Sequence, residues 1–577
     1  MKNIIFRLSI ALSFVVVALS LSSCEDMFGE FLEKPPGVDV TEDTIFSSRS
    51  QIETFIVACY RIGVHSNHPF SDLELTGSHH NSTDAMSDEA VITQPWGNVY
   101  TWINGMTNSD NVRNEVDRRW DIRYRAIRKF NTVLERIDDV EGVDRVYLDQ
   151  VKGEAYYLRA LNYFEMFKRY GGMPIVTDRL TLIDDLGIPR STFEEMVDQV
   201  VSDCNAAIEL LPDTYPSALR GRATKTAALL LKSRALLYAA SPLFNTASPY
   251  LRMDDPADNN LICYGNHDPN RWQLAADAAK AAMDQYPAGG FALITDQGVD
   301  KNYKYLSVTP DNDEVILANK ALGTGNTSNP PWVYLRWDGW AQRGTQMPLS
   351  MMKKYEKRDG TPQTWDPVGG PDLVDKYEEL DYRFPQTSPI VGSYWNSEYP
   401  IVASYVGGTG RTADRMHTGI WIMKFVPQDL LSGQNRMANN MLYRVAEAYL
   451  NYAEALNEAQ GPVQEAHDAV NKIRARSGQP DLPADLSQEE FRERVRNERA
   501  IELFAEDHRL WDINRWLIAE EVIGQVQGFR NIPDPEPPDF RYEVIHVMDR
   551  YWDQKMYLHP LLRSEVLKGH LVQNPGW

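Results

Sequence analysis

Apolar side chains recur three or four positions apart along most of this chain, the period of one helical face. In YRAIRKFNTVLERIDDV the repeat runs through Tyr124, Ile127, Asn131, Leu134 and Ile137. The next stripe follows at once: VKGEAYYLRALNYFEMFKRYGG carries Val151, Ala155, Leu158, Leu161 and Phe164, and Gly171-Gly172 ahead of Pro174 supplies a stop. FEEMVDQVVSDCNAAIELLP, ATKTAALLLKSRALLYAA and WQLAADAAKAAMDQYP repeat the pattern, each closed by a proline. It returns near the other end in MLYRVAEAYLNYAEALNEAQG, VQEAHDAVNKIRARSG, SQEEFRERVRNERAIELFAED and HRLWDINRW. The frame is therefore predicted to be mostly α.

Paired helices with alanine at close-packing positions resemble tetratricopeptide units, although the usual period of about 34 residues is not cleanly kept. Plain helix packing would leave the same alanine stripes. Between 287 and 440 the texture changes to Gly, Pro, Trp and Tyr, with short apolar runs such as EVILANK and GIWIMKF. A second irregular stretch spans about 62 to 120. Loops beyond about 15 residues in a compact domain are usually functional or disordered, and these are too aromatic for disorder. The expected architecture is tetratricopeptide-like helical hairpins decorated by long irregular loops and a small mixed subdomain. Its divisions are a leader at 1–23, an extended segment at 24–50, a helical part with an early binding loop at 51–286, a loop-rich ligand-binding subdomain at 287–440 and a helical part at 441–577.

The irregular region holds TSNPPWVYLRWDGWAQR, with Trp332, Trp337 and Trp340 in a stretch broken by Pro330, Pro331 and Gly339. Proline pairs and an Asp-Gly step argue for loop, where indole rings either plug a core or meet a ligand. Trp96, Tyr100, Trp102, Trp395 and Tyr405 are further candidates to stand around them.

Charge narrows the partners. The 577 residues carry 81 acidic and 59 basic side chains, a net of −22, which repels a polyanion, so nucleic acid is excluded. The start, MKNIIFRLSIALSFVVVALSLSSC, has Lys2 and Arg7, then an apolar run, then Ser22-Ser23-Cys24: a signal peptide rather than a membrane span, which wants ~20 apolar residues. Leu21-Ser22-Ser23-Cys24 looks like a bacterial lipobox, with Cys24 acylated after cleavage; plain secretion with cleavage near Ser23 is the alternative. Cys59, Cys204 and Cys263 show no CxxC or Cys/His grouping and are expected to be buried thiols.

Catalytic signatures are absent: there is no GxSxG, GxxxxGK[ST], HExxH or GxGxxG. His79-His80 beside Ser78 and Asp84 is better read as a solvated pair than as a hydrolytic group. Asp311-Asn312-Asp313-Glu314 lacks EF-hand spacing and reads as a turn before it reads as a calcium loop. No enzyme, cofactor or metal site is expected.

YRVAEAYLNYAEALNEA, AVNKIRARSG, RNERAIELFAEDHRLWDINRW and YLHPLLRSEVLKGHLVQNPGW together resemble the SusD/RagB family of nutrient-binding outer-membrane lipoproteins. FLEKPPGVDVTEDTIFSS, SDEA at 87–90, WDIRYRAIRKFN, EAYYLRALNYFEMFKRYGGMPIV, PRSTFEEMVDQVVSD and GRATKTAALLLKSRALLY are similar in the family's order, with the weakest match between about 287 and 440. The resemblance implies a non-catalytic protein anchored by Cys24 on the outer face of the outer membrane. It would capture an oligosaccharide and deliver it to a SusC-like TonB-dependent transporter; oligopeptide binding of the RagB type is the alternative. On that reading the indoles take the apolar face of sugar rings while polar neighbours satisfy the hydroxyls. The candidate ligand residues are Trp96, Asn98, Tyr100, Trp332, Arg336, Trp337, Asp338 and Trp340. Glu454, Arg474, Glu498 and Arg509 lie on periodic helices and are expected to brace packing, with Glu498, Glu502 and Glu506 spaced along one helix.

Overall fold

The computed structural model describes residues 42–64, 83–92, 98–111, 120–181, 183–319, 323–324, 345–408, 418–431, 434, 436–437 and 439–577. Residues 42–56 with 139–143 form a unit of their own, in which Phe46 meets Phe55 edge-on at 6.2 Å. Everything else belongs to the larger unit.

The stripes fold as helices: α1 (Trp120–Arg136), α2 (Arg145–Tyr170), α3 (Phe193–Leu210), α4 (Lys225–Ala240) and α5 (Asn270–Gly289). The strand β1 (Val315–Asn319) pairs antiparallel with β2 (Asn440–Arg444), from Val315 opposite Arg444 to Asn319 opposite Asn440. Then come α6 (Val445–Gln460), α7 (Gln464–Arg476), α8 (Gln488–Glu502) and α9 (Arg509–Arg515). Each helix from α1 to α5 packs on the next, α5 packs on α6, and α6 on both α7 and α8, the stacked-hairpin order of a helical repeat. The fold is mostly α, as the periodicity predicts.

Local chemistry fixes the ends. The Asp144 side chain accepts from the Tyr147 amide at the start of α2, and Thr192/Glu195 and Ser487/Glu490 form reciprocal capping boxes on α3 and α8. Gly171 closes α2 at φ 77°, and a Cβ there would sit 2.4 Å from the Leu261 carbonyl oxygen, so the position admits only glycine. From Tyr157 to Tyr170 every residue of α2 is buried, making it the central rod of the N-terminal half. Around it Phe193 stacks on Phe244 at 4.2 Å, and Phe164, Phe167 and Tyr238 meet edge-to-face at 5.2 to 5.4 Å.

Four details differ from the sequence reading. Pro287 does not stop α5: the helix continues to Gly289, and Gly290 caps it in the left-handed conformation. Met441-Leu442-Tyr443-Arg444 is strand, because the ladder with β1 takes its amides before α6 begins. The end of the chain is not all helix, since β3 (Gln525–Pro533) and β4 (Phe540–Asp549) form a long antiparallel hairpin. Glu506 lies beyond the end of α8 rather than on it. Cys59, Cys204 and Cys263 are free and buried, as expected.

Candidate ligand-binding site

The site's platform is built by charge. Arg444, at the junction of β2 and α6, donates to Glu314 at 2.9 Å, Glu502 at 2.7 Å and Glu506 at 2.6 Å, all buried. Arg476 bonds Glu314 and Glu502, Arg383 bonds Asp381, Glu498 and Glu502, and Arg474 joins Glu498 to Glu356. Lys424 donates to Glu506, to the Tyr303 hydroxyl and to the Phe504 carbonyl. Glu314 ends the acidic run at 311–314, which is a turn: Asp311 is left-handed at φ 57°, and the Asn312 side chain bonds its neighbours' backbone. Burial alone would raise the Glu502 carboxyl, but Arg476, Arg444 and Arg383 hold it well below the usual range. In a second cluster burial acts the same way on Glu454, and Arg515, Arg499 and Trp516 draw it down to about 2. Glu454, Arg474, Glu498 and Arg509 thus brace the frame, as their helical positions suggested.

Residues 83–92 are clamped to this platform. Arg509 forks onto Asp88 at 2.7 and 2.8 Å, the Ala505 amide donates to Glu89, and Arg550 donates to the Ser87 and Ala90 carbonyls. The segment ends in the strand Val91–Ile92, which pairs antiparallel with Thr345–Gln346: Val91 opposite Gln346, Ile92 opposite Thr345. Gln346 accepts the Thr418 amide at 2.8 Å, and the Met347 amide donates to the Ile420 carbonyl at 2.9 Å. At its other margin the middle region is held by a second short ladder, Gly323–Thr324 against Arg436–Met437. Three stretches far apart in sequence are therefore tied at one place.

Of the predicted ligand residues, Asn98 heads the helix Asn98–Ile103 and Tyr100 is half-buried upon it. That helix is fixed by the Tyr551 amide, which donates to the Ile103 carbonyl at 2.8 Å. Trp96, Trp332, Arg336, Trp337, Asp338 and Trp340 lie outside the described residues, as do Cys24 and the His79-His80 pair. Two of the surrounding aromatics are core rather than surface. Trp102, 2% exposed, packs on His559 at 4.9 Å and Trp577 at 6.3 Å. Trp395, 6% exposed, faces the Lys304 ammonium at 5.4 Å; burial and the nearby Lys424 push that amine down to about 7. Tyr405 lies on Phe540 at 5.1 Å. Sequence reasoning missed the anchors themselves, since two-residue strands leave no periodic signal.

Among the described residues no three His, Cys, Asp or Glu side chains group as a metal site, and no helix is long and apolar enough to cross a membrane. What this assembly offers is a well-braced edge from which the aromatic-rich stretches of sequence around Trp96 and Trp332 to Trp340 continue, the form of a binding protein on a helical-repeat scaffold.

Comparison with known proteins gives this class its family. A SusD family model matches residues 317–577, and a SusD-like model described as starch-binding and associating with the outer membrane matches residues 30–237. A SusD-like protein of Formosa agariphila is 25% identical over 539 residues, covering 89% of this chain and 91% of its own. The crystal structure of a SusD-like protein from Bacteroides fragilis superposes with a TM-score of 0.76 at 26% identity, covering 94% of this chain and all of that one. A laminarin-binding SusD-like protein shares the fold at a TM-score of 0.60 and 21% identity, over 92% of this chain and 100% of its own. The chain belongs to the SusD/RagB family.

Proposed function

We propose that this protein is a non-catalytic glycan-capture lipoprotein of the outer membrane's outer face, held by an acylated Cys24, which hands oligosaccharides to a SusC-like TonB-dependent transporter. The observation that carries the reading is the pairing of Ile92 with Thr345. In an antiparallel ladder these two residues stand at the same end, so the stretch leading to Trp96 and the stretch returning from Trp340 share one point of attachment. Trp332, Trp337 and Trp340 then join Trp96 and Tyr100 in a stacking arc, with Asn98, Arg336 and Asp338 as hydroxyl partners. Flat rings bury the CH face of a sugar at small entropic cost. The acidic frame supports a neutral ligand over a polyanion, and the laminarin-binding neighbour and the starch-binding family model point to the same ligand class.

Isothermal titration against a panel of soluble plant, host and microbial glycans tests this. At least one should bind, and Trp332→Ala, Trp337→Ala and Trp340→Ala together should abolish that binding while leaving the melting temperature within about 2 °C, the shift expected of surface substitutions. Silence across the panel with binding of extended peptides would move the reading to oligopeptide capture; equal binding by the triple variant would end it. Cys24→Ala should release the protein from the membrane fraction.

A further inference from the structure

An open cavity in the helical frame has none of the ladder residues 91–92 and 345–346 in its lining. It measures about 860 Å³ and is walled by the last turns of α5, the first turns of α6, the end of α7 and the connection at 291–299. Ligand sites in proteins run from ~300 to 1,000 Å³ and combine apolar walls with a few polar groups. Here the walls include Met283, Phe291, Leu293 and Tyr449, all only partly buried.

The charges around the cavity do not cancel. Lys280 pairs with Asp284 on the same helix, and the Arg476 guanidinium is held by Glu314 and Glu502. Lys472 is exposed, has no carboxylate partner among the described residues, and holds its ammonium 5.2 Å from the Tyr449 ring. On a chain of net charge −22, a cation without a carboxylate partner beside an aromatic face gives this wall a local positive bias. Hydrogen-bond donors are also left over. The Ala292 amide donates to the Asp313 carbonyl and the Ile294 amide to the Glu314 carboxylate, while the alternate Leu293 and Thr295 amides make no hydrogen bond with the described residues. The Thr295 and Tyr449 hydroxyls are likewise uncommitted among them.

We propose that this cavity is a second carbohydrate site, separate from the loop site, which takes one anionic sugar unit. The ring's CH face lies on Tyr449 and Phe291, its carboxylate or sulfate meets the Lys472 ammonium, and its hydroxyls take the Thr295 hydroxyl and the two free amides. A neutral sugar gains only the stacking; an acidic peptide gains only the charge. Lys280 matters differently, since it pairs with Asp284, a carboxylate of the cavity wall that would otherwise repel such a ligand.

Titration with trigalacturonic acid and with a sulfated tetrasaccharide tests this, each with a neutral trisaccharide and a Glu-rich peptide as controls. At least one anionic sugar should bind with unit stoichiometry, and the Trp332→Ala/Trp337→Ala/Trp340→Ala protein should retain that binding. Lys472→Gln should weaken it at least tenfold without shifting the melting temperature, and Tyr449→Ala should weaken it further; which of the two sugars binds assigns carboxylate or sulfate. The inference is overturned if neither sugar binds the unaltered protein, if Lys472→Gln binds as tightly, if the peptide binds better, or if the indole variant loses the anionic sugar. Only the last of these involves the loops, so failure here is distinguishable from failure of the loop site.

Discussion

The two halves of the helical frame are held in different ways. Around α2 rings interlock, namely Phe164, Phe167, Phe193, Tyr238 and Phe244, and the buried ions beside them form small separate groups: Arg159 with Asp203, Arg222 with Glu154, and Glu165 with Lys168 and Arg169. Around α8 the contacts are ions: Glu314, Glu498, Glu502 and Glu506 meet Arg383, Arg444, Arg474, Arg476 and Lys424 out of reach of water. Apolar packing is tolerant of small displacements and adds its energy by area. A buried guanidinium with three carboxylate partners has one geometry, and losing a partner strands a charge. The ionic half is also the half that clamps residues 83–92 and the short ladder, so the charge network lies where the sequence continues toward Trp96 and back from Trp340.

The sharpest way to break this contrast is Arg444→Met. Three carboxylates lose their shared cation, and the expected loss is about 5 kcal/mol in urea unfolding, at the upper end for breaking a buried pair. A loss below about 1 kcal/mol would show that the ions are dispensable. Phe193→Ala in the aromatic half should cost about 4 kcal/mol by cavity formation, with the ladder and ligand binding intact in the protein that remains folded.

Acid should divide the halves without mutation. The Glu454 carboxyl is depressed in the folded state, so its contribution is fully present above about pH 4.5 and is lost as pH falls toward about 2. Hydrogen exchange between pH 5 and 2.5 should therefore expose α6 and α9 before α2. Glu89 works in the opposite direction. Burial, with Asp84 beside it, pushes its carboxyl well above the ordinary range, so its neutral form suits the fold and stability is lost as pH rises. The melting temperature of Glu89→Gln relative to the parent should rise between pH 5 and 8 and be flat below pH 4.5.

Long stripes were legible because a helix repeats its apolar face often enough to be counted, and α1 to α8 fall where the spacing predicts. Short elements were not. Residues 441–444 look like the first turn of α6 until β1 is known to lie beside them, and the mixed alternation in β3 and β4 carries no comparable count. The bracing role of Arg509 could be inferred from its helix, but its partner Asp88 is 421 residues away and could not. Trp102 and Trp395 show the same limit: in a loop-like stretch an indole reads as surface until distant partners such as His559, Trp577 and Lys304 close over it.

The order of the stack has a consequence for synthesis. Tyr286 on α5 donates to the Val445 carbonyl at 2.9 Å, and Gln460 donates to Gln273 at 2.7 Å, so both ends of α5 are stitched to a helix that lies beyond residues 290–444. A nascent chain released amino terminus first must wait, with one flank of α5 uncovered, until that whole stretch has followed. Completion of the helical stack is thereby deferred until nearly the whole chain has been made.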